Sequence, residues 1–405
     1  MIAQFVQEHL NDDTARLILD RAKWPEIDID LAVNCIESRR KLKGKVQEWY
    51  DNPGLIFPLK LSAEQCSSSA TGEYKAKLAE RIAAKPSRRI ADLTGGLGVD
   101  SWFFSQKAEK VLYNEMQTAL CDAARHNFSI LKADNIDISN NTAASGELGF
   151  LADFKPDMVY MDPARRGEGG KKVFLIEECT PDVLTLKDEI FRHCRHILIK
   201  LSPMADITMV CERLGMTCRE VHVVSSEGEC KELLIWMDRE WQESYDITAV
   251  ELPNGFPEKP ASKLTFTPEE EKSSAADIAS ETGEFLFEPG KSLTKAGAFN
   301  VTAGHFHITK LGKSTHYYTT SDSSTVALLK GYGKVFQILE CSPLDKRSIK
   351  EAGKNHPKAE VTARNIPMTS DALRKKLGCS SGGDVHIFGL RSDLKGNLLM
   401  VCKRI

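Results

Sequence analysis

From Arg89 onward the chain alternates apolar runs of strand length with helix-like stretches, and this alternation restricts the fold more than any other feature. The runs are Ile90–Leu93, Val111–Tyr113, Ile136–Ser139, Met158–Met161, Ile197–Leu201, Val221–Val224 and Leu233–Met237. Most are separated by Ser101–Gln106, Thr118–Phe128, Pro181–Arg192 or Ala205–Leu214, whose lengths and apolar spacing suit helices. Strands alternating with helices bury both faces of a mostly parallel, doubly wound sheet. Only Ser225–Glu232 separates the last two runs, which is a hairpin length, so the final strand is expected to run antiparallel. The expectation is an α/β, Rossmann-like sheet of seven strands.

The flanks read differently. Residues 1 to about 60 place Phe5-Val6, Leu10, Leu17-Ile18 and Ala22 at roughly helical spacing, before Asn52-Pro53-Gly54 and Pro58 punctuate the chain. Leu78–Ala84 reads as a helix ending at Pro86. Pro253, Gly255, Pro257, Pro260 and Pro268, followed by Glu269-Glu270-Glu271, mark a linker or exposed excursion. Short apolar runs with Gly and polar turns then suggest small α+β modules up to Ile405.

Charge divides at the same place. Residues 1–284 hold 35 basic and 48 acidic side chains, a net of −13, and residues 285–405 hold 19 basic and 9 acidic, a net of +10. A basic tail on an acidic body suits a polyanionic partner. The 405 residues are too many for one ordinary domain. Their 41% hydrophobic and 27% charged composition excludes a disordered or collagenous chain. No apolar run reaches the ~20 residues that cross a bilayer, and no membrane partner is expected. Met1–Asp20 lacks a basic end and an apolar core, so no signal peptide is expected. The scatter of the eleven cysteines then favours reduced thiols in the cytoplasm.

The most informative segment is Ile90–Asp100, in which a strand ends in Asp92 and a glycine-rich turn, Thr94-Gly95-Gly96-Leu97-Gly98, opens a helix at Asp100. Glycine allows close approach of backbone to a ligand. One strand later, Tyr113-Asn114-Glu115 puts a carboxylate where this fold receives ribose hydroxyls. These two features fit NAD or S-adenosylmethionine equally, although the glycines do not spell G-x-G-x-x-G. The third feature decides between them. The fourth strand runs into Asp162-Pro163-Ala164-Arg165-Arg166, an acid and proline at the strand end where nucleic-acid methyltransferases hold the target base. Proline stiffens the backbone there. Asp162 can orient an amine, and Arg165 and Arg166 can meet a phosphate or stack on a base.

On these residues the sequence resembles the class I S-adenosylmethionine-dependent methyltransferases. Within them it resembles a bacterial group with a C-terminal ferredoxin-like piece and THUMP-like domain. The cofactor turn is also similar to that of some ribosomal RNA guanine methyltransferases. Leu61–Ser69, with Gln65 and Ser68, and Tyr74-Lys75 look like the segment that closes over the cofactor's methionine end. Gly228-Glu229-Cys230-Lys231-Glu232 lies at the cofactor edge of the sheet. Phe287–Gly290 through Lys295–Asn300 resembles the ferredoxin-like piece. Asn365–Met368, Leu373-Arg374-Lys375-Lys376-Leu377 and Gly382-Gly383-Asp384 resemble the THUMP-like part. The resemblance implies S-adenosylmethionine held by Asp92, Thr94, Gly95, Gly96, Gly98, Asp100, Glu115, Asp162, Gln65 and Ser68. It implies catalysis by Asp162, Pro163 and Arg165, and an RNA base, in tRNA or rRNA, contacted by Arg165, Arg166, Lys231, Arg374, Lys375 and Lys376. It also implies a division into an N-terminal helical segment (1–72), a methyltransferase domain (73–252), a linker (253–284), a ferredoxin-like piece (285–328) and a THUMP-like domain (329–405).

The chain departs from its relatives where chemistry is most specific. Ala164 and Arg165 stand where amine methyltransferases carry proline and an aromatic ring, so no stacking ring is present for a flipped base. In Lys200-Leu201-Ser202-Pro203-Met204, Ser202 stands where a carbon-5 enzyme needs its cysteine. His193 with His196, and His305 with His307, lack the partners of a metal site. Cys230 sits between acids that disfavour thiolate. Lys231 can pair with Glu229 instead of a phosphate, and Arg374-Lys375-Lys376 can simply face solvent. Two other readings stay open on sequence: an RNA-binding protein with a degenerate methyltransferase sheet, and an NAD-dependent oxidoreductase.

Overall fold

The computed structural model describes residues 1–165, 175–253 and 260–405. They form two compact units: Met1–Val221 with Glu232–Ser244, and His222–Lys231 with Tyr245–Ile405.

The first unit begins with helices, the longest being Ile29–Leu42 and Ser69–Ile82. Arg39 ties this lead-in together. Its buried guanidinium donates to the carbonyls of Tyr50, Asn52 and Leu55 at 2.9, 2.7 and 3.2 Å, fixing the turn that Asn52-Pro53-Gly54 announces. The sheet follows, with β1 (Arg89–Asp92), β2 (Lys110–Asn114), β3 (Ile136–Ser139) and β4 (Met158–Met161). After a short ladder of β5 (Ala164–Arg165) against β6 (Cys179–Thr180) come β7 (His196–Leu201), β8 (Cys218–Ser226) and β9 (Glu229–Asp238). Their order is β8-β9-β7-β4-β1-β2-β3. β1 pairs in parallel with β2 and β4, and so do β2 with β3 and β4 with β7. β9 runs antiparallel to β7, with Leu233 opposite Leu201, as the hairpin spacing predicts. The central strands β1 and β4 are almost wholly buried, as in a parallel sheet covered on both faces.

The hairpin is tighter than the sequence suggests. β8 and β9 extend into the expected loop and leave only Glu227-Gly228 between them, at φ 55° and 77°. Two successive positive φ values match the twist of the flanking strands.

In the second unit, Leu252 N–H donates to Ser225 O at 2.8 Å, and β10 (Asp246–Glu251) pairs antiparallel with β11 (Ser262–Phe266). β11 and a capped helix at Pro268–Ser273 occupy the stretch expected as a linker. The remaining strands are β12 (Phe285–Pro289), β13 (Thr309–Lys310), β14 (Tyr318–Thr320), β15 (Gly333–Pro343), β16 (Glu360–Arg364), β17 (Val385–Ser392) and β18 (Gly396–Arg404). They form a second sheet in the order β13-β14-β12-β15-β18-β17-β16. One of its cores gathers Ile349, Val361, Leu373 and Ile387, and another gathers Leu286, Phe336, Phe388 and Met400.

Candidate cofactor site

The chain enters the sheet at β1 and winds to β2 and β3 on one side, then to β4 and β7 on the other. The strand order therefore switches between β1 and β4, where an open α/β sheet leaves a crevice beyond its carboxyl ends. A cavity of about 340 Å³ lies there, lined by residues that follow β1, β2, β3 and β4.

The glycine turn forms its floor. Gly98 has φ +93° and Gly96 φ +53°, values that favour glycine. A side chain on Gly95 would approach Tyr113 to 2.3 Å, so that residue is glycine for packing. Only Thr94 O, at 3.8 Å, would lie near a Cβ on Gly96, which leaves this backbone open to a ligand. The turn is pinned from two sides. Gly96 N–H donates to Glu115 Oε2 at 2.9 Å, and Tyr113 OH donates to Gly96 O at 2.7 Å. Glu115 takes a second bond from Gln117 N–H at 2.9 Å and is thereby held at the cavity edge.

Asp92 lines the cavity, but its oxygens serve the loop. They accept from Thr94 N–H at 3.0 Å, Thr94 Oγ1 at 3.3 Å and Ser101 Oγ at 2.7 Å. Burial pushes its pKa up to about 7 against those bonds. Thr94 Oγ1 also accepts from Asp162 N–H at 2.6 Å, which ties the end of β4 to the glycine turn.

Beside the cavity runs a charge network that the sequence reading did not assemble. Lys75, fully buried on the helix at Ser69–Ile82, lies 3.1 Å from both Asp100 Oδ1 and Glu232 Oε2 and donates to Ser67 Oγ at 2.5 Å. Asp100 Oδ2 accepts from Ser67 Oγ at 3.0 Å and Tyr160 OH at 2.8 Å. Burial raises the Asp100 carboxyl, but Lys75 and Lys200 outweigh it and hold the pKa below the usual range. Burial prevails at Glu232 and raises its pKa despite the same two lysines. Lys200, at the end of β7, donates to Asp162 Oδ2. Burial alone would lower Lys200, yet Asp162, Glu232 and Asp100 hold it above the ordinary lysine range. A lysine inside the apolar run Ile197–Leu201 was the available signal, since a charge in a buried strand requires a partner.

Of the expected cofactor residues, Gln65, Asp92, Thr94, Gly95, Gly96, Gly98, Asp100, Glu115 and Asp162 all line the cavity. Ser68 does not. Its hydroxyl accepts from Thr71 N–H in a capping box, and Ser67 lines the cavity instead. The sequence reading also missed Asn141, Thr142 and Ala143, which follow β3, and Thr180-Pro181 at the end of β6. Arg165 contributes its backbone to β5, and Arg166 lies outside the described residues. Lys231 pairs with Glu229 at 2.8 Å in the second unit. Arg374 pairs with Asp371 at 3.1 Å, while Lys375 and Lys376 are exposed on the helix Ser370–Leu377. Among the described residues, no group of three or more His, Cys, Asp or Glu side chains is placed to hold a metal, and no helix is long and apolar enough to cross a membrane.

Comparison with known proteins supports this architecture. Residues 333–404 match the model of the THUMP domain-like family, and residues 285–325 match that of a ferredoxin-like domain. No curated protein matches the chain. A Porphyromonas gingivalis W83 protein, described as a "putative methyltransferase", is 29% identical and superposes with a TM-score of 0.83 over 100% of this chain and 97% of its own. A Streptococcus thermophilus rRNA methylase is 12% identical, with a TM-score of 0.31 over 41% of this chain and 93% of its own. A Streptococcus mutans methyltransferase-like protein, solved with S-adenosylhomocysteine, is 16% identical, with a TM-score of 0.29 over 41% and 96%. The chain thus has a mixed α/β fold similar to that of the Porphyromonas gingivalis protein, followed by residues that match the ferredoxin-like and THUMP domain-like models.

Proposed function

We propose that the protein is an S-adenosylmethionine-dependent methyltransferase that modifies RNA in the cytoplasm. One observation carries the cofactor assignment: Glu115 grips the Gly96 N–H at the rim of a cavity of about 340 Å³, at the switch point of the sheet. This volume suits a nucleoside-sized ligand. The residues present fit the cofactor. Among the residues that line the cavity, Glu115 would receive the ribose hydroxyls, the open Gly96 backbone and Asn141–Ala143 would flank the nucleoside, and Gln65 and Ser67 would meet the methionine end. Bound there, the cofactor supplies a methyl group on a sulfonium.

The protein then has to align an acceptor atom with that methyl and exclude water, which supplies much of such a rate. Asp162 lines the same cavity, and Thr94 fixes its backbone. Arg165 and Arg166 belong to the substrate side of this reading. The methyltransferase domain is assigned to 73–252, and the RNA-docking part to the ferredoxin-like and THUMP-like residues 285–405, whose net charge of +10 suits a polyanion. The test is transfer of label from methyl-labelled S-adenosylmethionine to bulk RNA from a strain lacking the gene. Incorporation that disappears with Asp162→Ala supports the proposal. RNA binding without incorporation would instead favour a degenerate methyltransferase sheet.

A further inference from the structure

Asp162 and Lys200 make a pair that the cofactor reading leaves unused. They stand at the ends of adjacent strands, β4 and β7, and the Lys200 ammonium donates to Asp162 Oδ2. Neither is sealed in. Asp162 keeps 34% of its side chain exposed and Lys200 keeps 15%, whereas Lys75 in the same network keeps none. Among the described residues, Asp162 Oδ1 receives no side-chain donor, and Lys200 gives only one of its three N–H bonds. Asp162 also lines the cofactor cavity. Among the described residues, an acceptor oxygen without a side-chain donor therefore stands beside a charged donor, with Asp162 on the wall of the cavity.

That combination selects the acceptor atom. An exocyclic amine on a base offers N–H donors and needs acceptors alone. As it attacks, its nitrogen becomes more positive, which a neighbouring ammonium opposes. A hydroxyl is donor and acceptor at once, so its O–H can point at Asp162 Oδ1 while its oxygen faces a Lys200 N–H. Negative charge that develops on that oxygen is stabilised by the ammonium. Lys200 stays protonated to do this because Asp162, Glu232 and Asp100 all favour its charged form against the effect of burial. The lack of an aromatic ring at Arg165, where a flipped base would stack, agrees with an acceptor outside the base.

We infer that Asp162 and Lys200 together hold a hydroxyl oxygen, and that within RNA it is the ribose 2′-hydroxyl, so the enzyme is a 2′-O-methyltransferase rather than a base methyltransferase. The inference rests on the proposed S-adenosylmethionine chemistry and on RNA as the substrate. In the step, the hydroxyl oxygen's lone pair forms a bond to the methyl carbon as the carbon–sulfur bond breaks. The bonding electrons stay on sulfur and give S-adenosylhomocysteine. The hydroxyl proton passes to Asp162 and then to solvent. The 2′-hydroxyl is also what distinguishes RNA from DNA, so DNA of the same sequence should not be a substrate.

The experiment labels bulk RNA from a deletion strain with methyl-labelled S-adenosylmethionine and digests it in alkali. A 2′-O-methyl group blocks cleavage at its own nucleotide, so label is expected in alkali-resistant dinucleotides. Label in mononucleotides would overturn the inference and leave the methyltransferase reading standing. No label in any RNA would overturn both. Lys200→Met should lower kcat at least about 100-fold, with S-adenosylhomocysteine affinity changed less than threefold, and Lys200→Arg should recover part of the loss. Full activity in the folded, cofactor-binding Lys200→Met variant would overturn the role of the pair.

Discussion

Asp92 shows how a residue can sit in a ligand site and yet act mainly on the protein. Its two oxygens are engaged by Thr94 and Ser101, and its pKa is pushed up to about 7 by burial. An acid whose folded pKa lies above its ordinary 3.8 makes the folded state bind more protons than the unfolded chain between those two values. This group's contribution to stability therefore falls as pH rises from about 4 to 7. Urea unfolding at pH 5 and pH 7 should show a smaller pH-dependent loss for Asp92→Asn than for the unmodified protein, and an equal loss would refute the assignment. Gly95 is the complementary case, since the Cβ of Gly95→Ala would lie 2.3 Å from the Tyr113 ring. Overpacking of this kind costs about 1–3 kcal/mol, to be read from urea midpoints. Both residues were legible in sequence, because an acid at a strand end followed by glycines is a local pattern. The partnership of Lys75, Asp100, Glu232 and Lys200 was not, because each was met inside an ordinary helix, turn or strand and only the fold brings them together.

At the scale of elements, the helix Ser69–Ile82 joins the lead-in to the sheet through one buried ammonium. Lys75→Met would remove the ammonium that lies 3.1 Å from both Asp100 and Glu232. Breaking a buried pair in this way costs about 3–5 kcal/mol. Chemical denaturation should show a loss of that order, and a variant as stable as the parent would contradict the network. The alternating strands and helices were readable because period and length are local properties. Two elements were hidden. The turn Glu227-Gly228 lacks the usual asparagine or aspartate before glycine, so an eight-residue loop was expected where the strands continue. The helix Pro268–Ser273 was lost in a proline- and acid-rich stretch, although Thr267 and Glu270 spell a capping box with proline at the first turn.

For the whole molecule, the net charge of −3 concealed the feature that matters, the opposite signs of its two parts. If the basic C-terminal part docks RNA, affinity for single-stranded RNA should fall steeply between 50 and 200 mM salt, as phosphate contacts release counterions. Exchanging the exposed Lys375 and Lys376 for glutamate should reduce the slope of log K against log salt by about 1.4, measured by filter binding. An unchanged slope would remove that helix from the interface. The proposed methyltransferase activity requires that the cavity at the switch point accept S-adenosylmethionine. Titration calorimetry on the full-length protein tests this most directly. One molecule should bind per chain, and Glu115→Ala, which removes the carboxylate that grips Gly96, should weaken binding at least about tenfold, the effect of about 1.4 kcal/mol. No measurable binding by the unmodified, folded protein would contradict the assignment.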